Sequence, residues 1–304
     1  MDNNDILNGA KKLNINSNMV KLFCNYIDLK NSKWDLRSFH YNTTRQEIVA
    51  TDGHKLIIVN NKCELVKDYI SFFEDMKKDI TNINDNQDLL FNLEFYLKYS
   101  KLCNLYYKVQ ETKNSYNLIA IKDNQIIASE PDLQATYPDY SGTIDYISYN
   151  TQAKIDVPLM LKILKDITNE IKEHNKLCKL KKDKISTINE KTVLIDLVFN
   201  DNDLKVILSE ETEKTNLNIN LIKINKFNSY TCKFNTSINE PIKDRRYRVN
   251  LKLFIDILTS FNQLKEHEIM LHFNLEGLRP IKITPLNIYT QDIVSYLMPC
   301  KILK

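Results

Sequence analysis

The chain has 304 residues, of which 43% are hydrophobic and 27% charged, with a formal net charge of +3. This length suits two domains or one large one and supplies ample core, and the composition is that of an ordinary globular chain. The net charge is too small to argue for nucleic acid by itself, so the placement of the charges must decide.

The six cysteines, Cys24, Cys63, Cys103, Cys178, Cys232 and Cys300, are scattered without a CxxC pair. They read as reduced thiols rather than a disulfide framework. The start, Met1-Asp2-Asn3-Asn4-Asp5, is polar and acidic, unlike a signal peptide. No apolar run reaches the length that spans a bilayer. A soluble, intracellular protein is expected.

Four segments carry helical periodicity, each followed by strand-like runs. The first spans Ser17–Lys30, with Asn16 or Ser17 as cap and Met19, Val20, Phe23 and Ile27 on one face. Strands are predicted at Trp34–Tyr41, Glu47–Ala50 and Lys55–Val59. The second helix covers Asn92–Leu102, then strands Leu105–Gln110, Tyr116–Ile121 and Gln125–Ser129, with turns at Asn114 and Asp123-Asn124. The third begins at Val157-Pro158 and continues to Lys176, proline being tolerated in a first turn. Strands Thr192–Phe199 and Leu204–Leu208 flank the Asn200-Asp201-Asn202-Asp203 turn. Asn250 caps the fourth helix, which runs to Leu264, and strands Glu268–Phe273, Pro280–Thr284 and Ile293–Met298 follow.

Helix plus strands thus recurs four times at spacings of roughly 70 to 90 residues, which predicts two similar domains of two units each. The fold class is α+β, built from repeated helix-plus-antiparallel-strand units with the helices on one face of the sheets. The polar stretch Ser141–Lys154 holds the boundary, giving domains 1–148 and 149–304. Residues 62–86 carry an extra amphipathic segment (Tyr69, Ile70, Phe73, Met76) that fits no repeat and reads as an insertion, while 209–246 is polar and takes no assignment.

On the third helix, Met160, Ile163, Leu164, Ile167 and Ile171 fall within an arc of about 100°. Lys162, Lys165, Asn169, Lys172 and Lys176 fall within about 80°, centred nearly opposite. Four ammonium groups in one line could follow a phosphate backbone without reading bases. A solvated face of a lysine-rich protein is the plainer alternative for one helix. Lys21, Lys98, Lys101, Lys252 and Lys265 repeat the tendency on the other helices.

Only four glycines occur, where average usage gives about twenty. Two lie in the strings Thr51-Asp52-Gly53-His54-Lys55 and Tyr137-Pro138-Asp139-Tyr140-Ser141-Gly142, and Gly277 precedes Leu278-Arg279-Pro280. In so glycine-poor a chain these mark positive φ or close approach of another backbone.

The run Glu47-Ile48-Val49-Ala50-Thr51-Asp52-Gly53-His54-Lys55-Leu56 resembles the signature of the bacterial DNA polymerase III beta subunit, the sliding clamp, where a strand ends V-A-T-D-G-H-R-L. Tyr137-Pro138-Asp139-Tyr140 resembles that family's F-P-D-Y. Tyr296-Leu297-Met298-Pro299-Cys300-Lys301 is similar to its closing hydrophobic-Met/Leu-Pro-x-Arg, and Arg279-Pro280 to the R-P before it. Each motif alone is weak; four in the family's order over about 250 residues are specific together.

The resemblance implies a ring whose helices line a channel around duplex DNA. It places the DNA contacts at Lys21, Lys98, Lys101, Lys162, Lys165, Lys172, Lys176 and Lys252. It also implies a cleft, at the seam of the family's last two domains, for short peptides of DNA polymerase and clamp loader. Carried over, its lining is Thr51, Gly53, His54, Lys55, Leu56, Pro138, Thr143, Leu253, Tyr296, Met298 and Pro299, with Trp34 or Leu36 at one edge. Apolar walls with a few polar groups suit an anchor-residue peptide, and Met298 can adapt its shape to several partners. Thr143, Leu253 and Cys300 depart from the commoner bacterial choices.

In the family the T-D-G-H motif belongs to the second of three domains. Here it lies near residue 52, so the match covers second- and third-domain equivalents. A six-domain ring then takes three copies, and a homotrimer is expected, with monomer or open dimer as competitors. The implied protein is cytoplasmic and nucleoid-associated, needs no cofactor or metal, and does no chemistry. Two alternatives are a clamp-fold peptide-binding module or decoy that does not encircle DNA, and a hydrolase using Asp52 and His54. The last lacks a nucleophile motif, metal spacing or phosphate loop, and His267 and His272 do not complete a ligand set.

Overall fold

Each of three helices starts where a strand ends on a short polar side chain. Asn92, Asp156 and Asn250 all take extended backbone, and each side chain accepts a hydrogen bond from the amide three residues on, at 3.0, 2.7 and 3.1 Å. That bond satisfies one of the otherwise orphaned donors of a first helical turn and turns the chain sharply from strand to helix. The structure, a computed structural model, describes residues 8–15, 17–30, 34–79, 89–110, 115–131, 137–149, 151–181, 187–200, 203–209, 230–233, 245–274, 279–287 and 289–301.

The chain divides into two compact units, Met1–Tyr140 and Ser141–Lys304. The first unit runs β1 (Lys11–Lys12), α1 (Ser17–Cys24), β2 (Phe39–Asn42), β3 (Glu47–Thr51), β4 (Lys55–Asn60), α2 (Lys67–Asp79), β5 (Leu89–Phe91), α3 (Leu93–Tyr99), β6 (Asn104–Gln110), β7 (Ser115–Lys122) and β8 (Gln125–Pro131). Its antiparallel strands order as β1-β6-β7-β8 and β5-β2-β3-β4. The second unit runs α4 (Ser141–Ile144), β9 (Thr151–Asp156), α5 (Val157–Leu180), β10 (Leu194–Asn200), β11 (Asp203–Leu208), β12 (Tyr230–Lys233), β13 (Arg245–Asn250), α6 (Leu251–Gln263), β14 (Glu268–Phe273), β15 (Ile281–Pro285) and β16 (Ile293–Leu297). Its strands order as β9-β14-β15-β16 and β13-β10-β11-β12.

The two orders correspond strand for strand. In each unit the opening strand pairs with the first strand after the second repeat helix, and the strand before that helix pairs with the first strand after the opening one. Among the described residues, α2 has no counterpart in the second unit.

The described part of the segment read as an insertion thus carries a helix, α2, that is part of the core. Tyr69 and Phe73 are fully buried. Tyr69 meets Phe23 of α1 and Phe39 of β2, while Phe72 meets Phe91, Tyr107 and Tyr116. These edge-on aromatic packings add to the area that each ring buries. In the second unit α5 packs against α6, with Met160, Ile163, Leu164, Ile167 and Ile171 buried as the periodicity predicts.

Several boundaries differ from the sequence reading. The first helix ends at Cys24 rather than Lys30, because Asn25 and Tyr26 donate to carbonyls three residues back, at 3.2 and 2.9 Å, and tighten the chain out of the α-helix. Trp34–Arg37 is a 3-10 turn, not strand, and buries Leu36 before β2 begins. The third helix continues past Lys176 to Leu180: buried Asn175 accepts from Ile188 N at 2.7 Å and donates to Ile188 O at 2.8 Å, anchoring the extra turn. Thr192 closes a 3-10 turn capped by Asn189 rather than opening a strand.

Strands β1, β5, β9, β12 and β13 have no counterpart in the sequence reading. Asp123 and Asn124 both have positive φ, 50° and 60°, as the predicted two-residue hairpin turn between β7 and β8 requires. The proposed cap Asn16, the turns at Asn114 and Asp201-Asn202, residues 80–86 and most of 209–246, and Gly277-Leu278 lie outside the described residues. No described helix is long and apolar enough to cross a membrane.

Candidate functional site

Every residue of Thr51-Asp52-Gly53-His54-Lys55 has a place in the β3–β4 hairpin. Gly53 has φ +89°, and His54 has no positive φ, the pattern of a tight turn with glycine at its first central position. A Cβ on Gly53 would meet nothing within 4 Å, so the requirement is one of backbone conformation and not of space. Asp52 Oδ1 accepts from the amides of His54 and Lys55 at 2.9 and 3.0 Å, and Oδ2 lies 3.5 Å from Lys55 Nζ. Thr51 Oγ1 donates to Lys55 O at 2.7 Å and accepts from Gly53 N at 3.0 Å.

These bonds decide between roles. The Asp52 carboxylate is spent on backbone amides and Lys55, so it forms no acid–base pair with His54. Lys55 is 5% exposed and Leu56 8%, while Gly53 and His54 are exposed. The hairpin therefore offers its tip, not its lysine, to an approaching ligand.

Tyr137-Pro138-Asp139-Tyr140 is a strap held by its two tyrosines. The Tyr137 ring lies 3.6 Å from that of His40, centroid to centroid. Tyr140 Oη donates to Glu47 Oε1 at 2.6 Å and accepts from Asn42 Nδ2 at 3.1 Å. Arg45 completes the cluster, with Nε 2.8 Å from Glu47 Oε1 and the guanidinium carbon 5.7 Å from the Tyr140 ring centre. Burial raises the Tyr140 phenol, and the hydrogen bond to Glu47 raises it further. His40 is wholly buried, and burial lowers its pKa from 6.5 to about 3, opposed only in part by a hydrogen bond with the Val49 backbone. Between the anchors, Pro138 and Asp139 stay exposed.

In the second unit Tyr296, 9% exposed, stands in β16 opposite Lys282. The chain after β16 is fixed by a bond from Cys300 N to Arg248 O at 2.8 Å, on β13. Met298 is exposed and Pro299 half-buried along this tail. Arg248 itself forms a buried two-pronged pair with Asp196, at 2.7 and 3.0 Å, with Arg246 3.4 Å from the same carboxylate. Leu253 is half-buried in the first turn of α6, which packs on β13 and β16, and Thr143 is exposed on α4. Trp34 lies in the 3-10 turn of the first unit.

On α5, Lys162, Lys165, Lys172 and Lys176 are all exposed, opposite the buried face. Lys21, Lys98, Lys101 and Lys252 are exposed too; Lys98 Nζ lies 5.0 Å from the Tyr99 ring centre, and Lys252 pairs with Asp256 at 3.1 Å.

The sequence reading missed the supports of these motifs: His40, Asn42, Arg45 and Glu47 beneath the strap, and the Asp196–Arg248 pair beneath the tail. Nothing local marks them, since their partners lie 93 and 98 residues away for Tyr140 and 52 for Arg248. A cleft of about 370 Å³ in the first unit, lined by Lys12, Asp68, Tyr96, Ser100 and Cys103 among others, contains none of the residues that the motifs name. Among the described residues no three His, Cys, Asp or Glu side chains are grouped to hold a metal ion.

No protein-family model matches the sequence, and no curated protein does. Solved structures do. The DNA polymerase III beta sliding clamp of Pseudomonas aeruginosa, bound to griselimycin, is 10% identical with a TM-score of 0.59, over 96% of this chain and 65% of that one. The beta subunit of Borrelia burgdorferi, in complex with a natural product, is 14% identical with a TM-score of 0.58, over 97% and 64%. That of Streptococcus pyogenes is 11% identical with a TM-score of 0.55, over 96% and 65%. The chain thus spans about 65% of the length of these clamps. At such low identity the likeness is one of backbone architecture, and it covers almost all of the chain: the protein has the fold of the DNA polymerase III beta sliding clamps.

Proposed function

We propose that the protein is a sliding-clamp processivity factor that encircles duplex DNA without reading its sequence and binds short peptides of a DNA polymerase and a clamp loader. The observation that carries this reading is α5. Over 24 residues it buries one continuous apolar face and turns Lys162, Lys165, Lys172 and Lys176 to solvent on the other. Neither face of the helix needs those four cations for folding. A row of solvated ammonium groups on a rigid rod matches a phosphate backbone, with charge but no base-edge complementarity.

The peptide reading draws on Gly53, His54 and Pro138 in the first unit and on Thr143, Leu253, Tyr296, Met298 and Pro299 in the second. Gly53 and His54 are braced by the bonds of Thr51 and Asp52, and Pro138 by the anchored Tyr140, as a preorganised docking surface should be. No catalytic step is assigned, and the protein acts by tethering, in the cytoplasm and on the nucleoid. With two clamp domains per chain, a six-domain ring takes three copies.

Topology provides the test. The protein is loaded on nicked circular DNA by its loader and washed at rising salt. Simple phosphate binding weakens steeply with salt, whereas a closed ring stays until the circle is linearised. Loss at moderate salt from circle and linear DNA alike refutes encirclement. Mass photometry at micromolar concentration showing only monomer refutes the trimer.

A further inference from the structure

The outward face of the second unit's β9-β14-β15-β16 sheet carries a patch that none of the motifs names. His272 on β14, Lys282 on β15 and Tyr296 on β16 are successive cross-strand partners. Their side chains therefore form one row, on the face opposite buried Leu271, Ile281 and Ile283. Tyr149 lies over this row. Its ring meets that of His272 edge-on at 6.2 Å, and Lys282 Nζ sits 5.9 Å from its centre.

The cluster has donors and a cation but no acid. His272 Nε2 is 2.8 Å from Thr284 Oγ1. The Tyr149 hydroxyl is shielded from solvent and has no hydrogen-bond partner among the described residues. Lys282 is half-buried and forms no ion pair with any described carboxylate. Glu268, the acid on the same face of β14, is committed to Lys154 at 2.7 Å. His272 is held down to about 4, first by burial and then by the Lys282 charge. Lys282 rests beside the Tyr149 ring and has no carboxylate partner among the described residues, so an acidic group on a partner can still pair with it.

We propose that Lys282, steadied by the Tyr149 ring, binds an acidic side chain of the peptide partner, next to the apolar contact at Tyr296. This assignment rests on the peptide-binding reading above. It commits to a peptide carboxylate because Tyr296, the direct neighbour of Lys282, is already a peptide contact in that reading, and because the charge of the row is complementary to such a group.

The experiment compares two pools of fluorescein-labelled synthetic pentapeptides, apolar at four positions, with aspartate or asparagine at the remaining one. Fluorescence anisotropy should show the aspartate pool binding wild type about tenfold tighter, the difference expected of a charge-assisted bond. Lys282→Met keeps the stem and should abolish that preference while leaving the asparagine pool unchanged; Lys282→Arg should restore it. Tyr149→Phe keeps the ring beside Lys282 and should leave the preference intact. Equal binding of both pools by wild type overturns the inference and leaves the peptide reading intact. No binding of either pool overturns the peptide reading, and the inference with it. If Lys282→Met weakens retention on DNA and leaves the peptide preference untouched, the patch belongs to DNA and the inference is wrong.

Discussion

The strap that presents Pro138 stands on a buried imidazole, and this makes the first unit acid-sensitive in a calculable way. His40 titrates at about 3 in the folded protein against 6.5 for the free side chain. The unfolded chain therefore binds a proton that the native fold refuses, so stability is complete above pH 6.5 and is lost as pH falls towards 3. Each pH unit in that window removes about 1.4 kcal/mol, which amounts to about 2 kcal/mol at pH 5. For a unit of this size, that lowers the melting temperature by roughly 4 to 8 °C. Other groups also titrate below neutrality, His272 among them, so the comparison must be differential. Thermal melts of wild type and His40→Phe between pH 7.5 and 5 isolate the one residue. Phenylalanine keeps a flat ring against Tyr137 and cannot take a proton. The variant's absolute stability is immaterial; its melting temperature should fall less with pH, by about that margin. Parallel pH profiles for the two proteins would refute the argument.

Gly53→Ala should cost about 1–3 kcal/mol, all of it backbone strain, because its Cβ has free space. Gly53→Asn should cost less, and denaturant melts of the two decide it. Arg248→Met leaves the buried Asp196 carboxylate with Arg246 alone, 3.4 Å away, and should cost up to about 3–5 kcal/mol, whereas pairing it with Asp196→Leu should recover much of the loss, as a double-mutant cycle will measure. Replacing Lys162, Lys165, Lys172 and Lys176 by alanine should flatten the slope of log affinity for linear duplex against log salt by up to about 3.6, with thermal stability nearly unchanged. A slope that does not move would exclude the α5 face as the DNA contact.

The parts of the fold that the sequence discloses are those set by neighbours in the chain. The face of α5 is visible because apolar residues recur at helical spacing, and the cap Asn250 because its partner amide is three residues on. The β7–β8 turn is visible because Asp123 and Asn124 tolerate positive φ. The T-D-G-H string could be recognised, but its mechanics could not: that Asp52 binds amides, and Lys55 turns inward to it, shows only in three dimensions. Strand β9 was hidden because its outward residues, Gln152, Lys154 and Asp156, are polar and only Ala153 and Ile155 face in, so the segment passes for a linker. The segment after Asn60 gave up its amphipathic face but not its place. Which rings Tyr69 and Phe72 would meet depends on pairings 19 to 46 residues distant, which periodicity does not encode.

A cation can follow a phosphate backbone only if it is not already engaged, and that separates the eight candidate lysines. Lys252 is held by Asp256, and although an exposed pair of this kind is worth at most about 1 kcal/mol, the carboxylate stays beside any phosphate that approaches. Lys98 spends its charge over the Tyr99 ring, with Glu94 and Glu130 near enough to raise its pKa further. Lys162, Lys165, Lys172 and Lys176 form no ion pair with any described residue, although Asp166, Glu170 and Glu173 share their helix. The acids sit on the flank of the stripe and not along it. From Lys162 to Lys176 the stripe extends about 21 Å at 1.5 Å per residue, the length of several successive phosphates. The corresponding helix of the first unit, α1, has only 8 residues and offers Lys21 alone. Electrostatic contact with DNA should therefore be concentrated on α5 in each copy of the chain, and substitutions at Lys21 or Lys252 should matter far less than the same change at Lys165 or Lys172.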